Sequence, residues 1–118
     1  MARKTGSGTN LPYNAGMAAA FSITKSIALS YAADGIRANC ICPGFVETDM
    51  WTSVTRAQAA LLGQSPEELT RQRRQQVPLG RTERPENVAN VIAFLASLCA
   101  DYMTGQALSV YGGLVMHG

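Results

Sequence analysis

From Tyr13 to about Ala33 the chain has no proline, and Met17, Phe21, Ile23, Ile27, Ala28, Leu29 and Tyr31 recur at helical spacings over more than half the circumference. A helix this apolar must be covered on more than one side, so the chain has to build layers around it. The stretch from Ala15 to Ala33 is broken by Ser22, Thr24, Lys25, Ser26 and Ser30, which fits a buried helix and not a membrane span. Thr24 falls inside the apolar face, where a carbonyl one turn back can accept its hydroxyl hydrogen. Asp34-Gly35 is the stop, because glycine takes the left-handed conformation that ends helices. Residues 3–12, with Gly6, Gly8 and Pro12 among Ser, Thr and Asn, favour a loop, so order is expected to begin after Pro12.

Ile36 to Cys42 is a strand candidate with Ile36, Ala38, Cys40 and Cys42 on one face, ended by Pro43-Gly44. In the more polar stretch 45–80, Ser65-Pro66-Glu67-Glu68 has the form of a capping box, and Arg71, Arg73 and Arg74 sit near the far end, where the helix dipole favours cations. One short amphipathic helix is predicted there. Pro85 starts a last helix whose Val88, Val91, Ile92 and Leu95 form an inward stripe ending near Ser97, and Gln106 to Val110 is a second strand closed by Gly112-Gly113. Two strands joined through helices lie parallel, and parallel sheets are covered on both faces and seldom have only two strands. The fold class is therefore α/β: the C-terminal portion of a Rossmann-like doubly wound parallel sheet, with two strands and three or more helices.

Composition narrows the function. The 118 residues allow one domain or part of one. Charged residues are 15% and apolar ones 47%, against roughly 25% charged in an average soluble domain. That balance fits either a tightly buried domain or a piece that keeps faces meant for neighbours. A net charge of +2 argues for neither nucleic acid nor an anionic membrane as partner. Cys40, Cys42 and Cys99 lack metal-ligand spacing, so no metal is implied, and they are expected to be reduced core residues of a cytoplasmic protein. Met1-Ala2-Arg3-Lys4 is not followed directly by an apolar segment, so no secretory signal is expected. The arginines from Arg71 to Arg84, interleaved with Glu83 and glutamines, fit a solvated face, and His117 is expected to be exposed.

Tyr13-Asn14-Ala15-Gly16-Met17 through Phe21-Ser22-Ile23-Thr24-Lys25-Ser26-Ile27-Ala28-Leu29 resembles the active-site helix of the short-chain dehydrogenase/reductase family. Gly35-Ile36-Arg37-Ala38-Asn39-Cys40-Ile41-Cys42-Pro43-Gly44-Phe45-Val46-Glu47-Thr48 resembles its next strand and Pro-Gly turn. Pro78-Leu79-Gly80-Arg81, Pro85-Glu86-Asn87-Val88-Ala89 and Thr104-Gly105-Gln106-Ala107-Leu108 are similar to its later landmarks, in the same order. The resemblance covers nearly the whole chain. It implies that residues 1–118 are a partial domain of this family, without the N-terminal dinucleotide-binding half.

By this resemblance Tyr13 occupies the position of the general acid or base that exchanges a proton with the substrate oxygen while hydride moves to or from nicotinamide. A phenol with a reference pKa near 10 needs a neighbouring cation for this work, and the family places a lysine four residues on, which also holds the nicotinamide ribose. Here that residue is Met17, which has neither charge nor donor. Lys25 is roughly 12 Å further along the helix at 1.5 Å per residue, too far to substitute. The family's serine, asparagine and glycine-rich loop fall upstream of the tyrosine; Ser7 is too close to match the serine, and Gly6 and Gly8 have no strand before them. Pro43, Gly44, Val46 and Thr48 would border the nicotinamide of NAD or NADP, with Val46 and Thr48 near its carboxamide. The segment from Thr48 to about Val77 resembles the mobile cover of the substrate.

Tyr111 stands where the family usually has an acidic residue, and local packing or a subunit contact is expected of it. The expected function is that of a truncated or degenerate NAD(P)-dependent oxidoreductase acting on a small alcohol or ketone, of polyol or acetoin type, and inactive as an isolated chain. The alternative is a non-catalytic interaction or oligomerisation module derived from the family, associating with itself or with a full-length relative.

Overall fold

A computed structural model describes residues 11–116. Helix α1 runs Leu11–Ser30 and is followed by a 3-10 turn, Ala32–Asp34. Strand β1 is Cys40–Pro43, α2 is Asp49–Leu62, α3 is Pro66–Gln76, α4 is Pro85–Ala96, and after the 3-10 turn Leu98–Ala100 the chain closes with β2, Ala107–Val110. The strands pair in parallel, Cys40 opposite Ala107 and Pro43 opposite Val110. The α/β architecture with a parallel pair is the one the sequence predicts. Gly6, Gly8, Ser7 and His117 lie outside the described residues.

The back-bond inside α1 and the glycine stop of the 3-10 turn after it follow the sequence. The Thr24 hydroxyl donates to the Ala20 carbonyl at 2.8 Å, and Gly35, at φ 72°, returns its N–H to the Ala32 carbonyl. The described helix already takes in Leu11 and Pro12, earlier than the loop composition suggests.

Two corrections concern length and number. Strand β1 covers Cys40–Pro43 and not Ile36–Cys42, since side chains take over the bonds before Cys40. Thr104 Oγ1 accepts the Ala38 N–H, while Asn39 donates to the Met103 carbonyl at 2.9 Å and accepts from the Gln106 N–H at 3.1 Å. Arg37 in the same segment donates to the carbonyls of Leu95 and Ala100 at 3.0 and 2.7 Å, closing the C-terminal end of α4. The stretch 45–80 holds two helices where periodicity predicts one. Helix α2 is capped by Thr48 and closed by Gly63 at φ 66°, but it buries only Thr55 and Ala59, too small a stripe to register as an apolar period. Helix α3 starts as predicted, Ser65 Oγ accepting the Glu68 N–H at 3.1 Å with Pro66 at the first position. The Glu68 carboxylate bonds Arg71 and Gln72.

The core is thin. Cys42, Ala59 and Ala100 are at most 1% exposed, and Ala28, Leu69, Val77 and Tyr111 are also buried. Of the three cysteines only Cys42 is fully in the core; Cys40 is half-buried and Cys99 is exposed on the turn after α4, which corrects the expectation for it. On α4, Val88, Val91 and Leu95 are half-buried against the strands while Ile92 is exposed. On α1 only Ala28 is buried, and Leu11, Ile23, Leu29 and Tyr31 lie on a surface that no described residue covers. The radius of gyration, 16.2 Å, exceeds the roughly 13 Å of a compact hundred-residue domain, in keeping with open faces. Replacing Ser65 with alanine removes the α3 cap and is expected to lower the unfolding free energy by about 1 kcal/mol, read from urea denaturation.

Candidate active-site segment

The residues from Pro43 to Thr48 leave the end of β1 and reach α2. Pro43 is the last strand residue, Thr48 Oγ1 accepts the Trp51 N–H at 3.2 Å as the cap of α2, and the Val46 backbone pairs in parallel with Glu83. In that pairing the Glu83 N–H donates to the Phe45 carbonyl and the Glu47 N–H to the Glu83 carbonyl, both at 2.8 Å. Parallel pairing alternates, so the N–H and C=O of Val46 face the opposite edge. Among the described residues neither has a partner. A free donor and a free acceptor side by side match the two ends of a primary carboxamide.

Gly44 is required by its neighbour. A Cβ placed there would lie 2.5 Å from the Tyr111 Cβ and 3.0 Å from its Cα, so only glycine admits the approach of the chain beyond β2. The Gly44 N–H is shared between the Val110 carbonyl at 3.0 Å and Glu83 Oε2 at 2.9 Å. Tyr111 is buried, so local packing is its observed role.

Glu83 is buried rather than solvated, contrary to the expectation for the charged stretch around it, and among the described residues its Oε1 has no hydrogen-bond partner. Burial pushes its carboxyl above the ordinary value of 4.5, opposed by the Gly44 N–H and by the Arg81 charge. Glu47 moves the other way: the Thr82 hydroxyl bond lowers it, burial opposes this, and Arg74, 3.1 Å away, lowers it further. Arg73 also departs from the solvated-face expectation. Its guanidinium lies 4.6 Å from the Trp51 ring centroid and 5.7 Å from that of Phe45, and it donates to Thr55 at 2.7 Å and to Gln58, tying α3 to α2 and to the segment after β1.

Tyr13 and Met17 sit one turn apart on α1, the tyrosine 59% exposed and the methionine half-buried. Helix α1 packs against β1, but no hydrogen bond among the described residues links Tyr13 to residues 43–48. The Lys25 ammonium lies over the Phe21 ring at 4.4 Å. Pro43, Gly44, Val46 and Thr48 thus share one short segment, while Tyr13 and Met17 belong to a separate element. Sequence reasoning missed Glu83, Thr82 and Arg73. The sequence signal for the first two was their place between the Gly80-Arg81 and Pro85-Glu86 landmarks, which outweighs their polarity.

A family model described as enoyl-(acyl carrier protein) reductase matches residues 1–115. The 3-oxoacyl-(acyl-carrier-protein) reductase FabG of Chlamydia pneumoniae is 44% identical over 111 residues, 94% of this chain and 40% of that protein. A short chain dehydrogenase family protein from Francisella tularensis superposes with a TM-score of 0.89 at 31% identity, over 95% of this chain and 46% of that one. This chain belongs to the short-chain dehydrogenase/reductase family. It spans about two fifths of the length of the curated relatives it matches. Two further neighbours in the family carry cofactor. Actinorhodin polyketide ketoreductase with NADPH has a TM-score of 0.90 at 37% identity, over 96% of this chain and 43% of that one. NAD+-bound xylitol dehydrogenase has 0.87 at 30%, over 96% and 45%. Among the described residues no helix is long and apolar enough to cross a membrane.

Two outcomes follow for this family member. Gly44→Ala sets a new Cβ against Tyr111 backbone and is expected to cost about 1–3 kcal/mol in urea denaturation. Glu83 holds a proton in the folded state at pH values where the unfolded chain has lost it, so it detracts from stability as pH rises above 4.5. The stability of the wild type relative to Glu83→Gln is therefore expected to fall with rising pH above about 4.5 and to be flat below it, measured by urea denaturation across pH. Glu47 works below that window: its contribution is present above 4.5 and is lost as pH falls through its lowered value.

Proposed function

We propose that this chain carries the tyrosine helix and the nicotinamide-facing segment of an NAD(P)-dependent alcohol dehydrogenase or ketone reductase, in a degenerate form that does not turn over as an isolated chain. The observation that carries the reading is the unpaired edge of Val46 beside the capping hydroxyl of Thr48. The cofactor supplies or accepts a hydride when bound. The fit at its nicotinamide end is good: Val46 N–H and C=O would take the carboxamide, and Pro43, Gly44 and Thr48 would border the nicotinamide. At the ribose end the fit fails, because Met17 offers no hydrogen-bond donor and Lys25 lies over Phe21.

In the same reading Tyr13 exchanges a proton with the carbonyl or alcohol oxygen of a small ketone, secondary alcohol or polyol of acetoin-like size. Without a cation one turn away, the phenol lacks the charge that would make it an effective base. Helices α2 and α3, tied together by Arg73, cover the substrate. The free thiols, Cys99 exposed among them, fit a reducing cytoplasmic setting. The purified chain is expected to give no substrate-dependent oxidation of NADH or NADPH with a panel of small ketones, followed by absorbance. A clear substrate-dependent rate would refute the degenerate reading.

A second reading is favoured by α1. Leu11 is 77% and Leu29 83% exposed, and Ile23 and Tyr31 are exposed too, more apolar surface than one solvated helix usually carries. An interaction module, pairing with another copy or with a full-length relative, would cover that face. Light scattering is expected to report an oligomer, and a stable, well-folded monomer would count against this second reading.

A further inference from the structure

We infer that Glu83 is the positioning residue of the nicotinamide-facing segment: it holds Gly44 by its side chain and turns the Val46 edge outward by its backbone. The inference rests on the reading that residues 43–48 meet nicotinamide. Glu83 touches this segment at successive places. Its carboxylate accepts the Gly44 N–H at 2.9 Å, its N–H reaches the Phe45 carbonyl at 2.8 Å, and its carbonyl takes the Glu47 N–H at 2.8 Å. By occupying the inner edge of residues 45 and 47, it leaves Val46 with its donor and acceptor on the outer one. Thr82 next to it bonds the Glu47 side chain, so the clasp continues to the end of the segment.

Stability alone does not explain a glutamate here. Its side chain is buried with Oε1 unpartnered, which costs free energy that an apolar residue of similar size would avoid. Among the described residues Arg81 is the charged neighbour that acts on it, and the Arg81 guanidinium donates to the Thr82 carbonyl and to Asn87 instead of forming an ion pair. A cleft of about 330 Å³, lined by Phe45, Val77, Val110 and Tyr111 as well as by Glu83 and Arg81, lies beside it. What the carboxylate does provide is a second acceptor for the Gly44 N–H, whose other acceptor is the Val110 carbonyl of β2. Gly44 cannot be fixed by a side chain of its own, because Tyr111 excludes a Cβ. The turn is therefore held from outside.

The test is nitrogen-15 NMR on the full chain, comparing wild type, Glu83→Gln and Glu83→Ala, with nicotinamide as the probe, since only that end of the cofactor fits. The Gly44 amide is expected to follow a carboxyl titration in wild type and to lose it in Glu83→Gln. Nicotinamide is expected to shift the Val46 amide in wild type and, because the glutamine oxygen still accepts the Gly44 N–H, in Glu83→Gln as well. In Glu83→Ala the dissociation constant should rise by about tenfold or more, the scale of one hydrogen bond to a charged group. The Leu69 amide in α3 should stay unmoved throughout, showing an intact fold. A Gly44 amide indifferent to pH, or a Glu83→Ala chain that binds nicotinamide as wild type does, overturns the role of Glu83. A wild-type Val46 amide that ignores nicotinamide while Gly44 titrates overturns the nicotinamide reading, and with it any positioning role beyond the fold.

Discussion

The hydrogen bond from Gly44 to the buried Glu83 carboxylate is the contact on which the region around the segment depends. It joins the end of β1 to the stretch between α3 and α4, and the shared acceptor at Val110 brings in β2. Around it the other links fall in order. Thr82 and Arg74 converge on Glu47, which connects the clasp to α3, and Arg73 carries the connection on to α2 through Thr55, Gln58 and the ring of Trp51. A core whose fully buried members among the described residues are Cys42, Ala59 and Ala100 cannot hold these elements by apolar contact alone. Polar links with defined directions supply the geometry.

Much of the fold was legible because its signals are local. Thr24 back-bonding, the Asp34-Gly35 stop, the Ser65-Pro66 start and Pro85 at the head of α4 depend on neighbours a few residues away. Helix α2 was not legible, since burying Thr55 and Ala59 leaves no period of large apolar residues. The length of β1 was set by Asn39 and Thr104 across the chain, which no local pattern can report. Residue type misled in the same way at Glu83 and Arg73. Both look like surface charges in a charged run, and both are drawn inward by partners far away in sequence.

At the site, Pro43, Gly44, Val46 and Thr48, which the family landmarks single out, lie between β1 and α2, and the pairing with Glu83 gives the reason that Val46 has an open edge. The same landmarks expose the weakness of Tyr13. Its partner one turn on is Met17, and neither is bonded to the segment among the described residues. In the proposed reading the chain therefore combines an open Val46 edge with a tyrosine that has no cation one turn away. Its uncovered α1 surface belongs with the second half of that description, because a helix so apolar is stable in water only against a neighbour.

The most direct test of this account is a crystal structure of the chain grown with nicotinamide. The account predicts a nicotinamide whose carboxamide nitrogen and oxygen lie within hydrogen-bonding distance of the Val46 C=O and N–H. An ordered nicotinamide bound elsewhere, or a Val46 edge paired with another strand of protein, would contradict it.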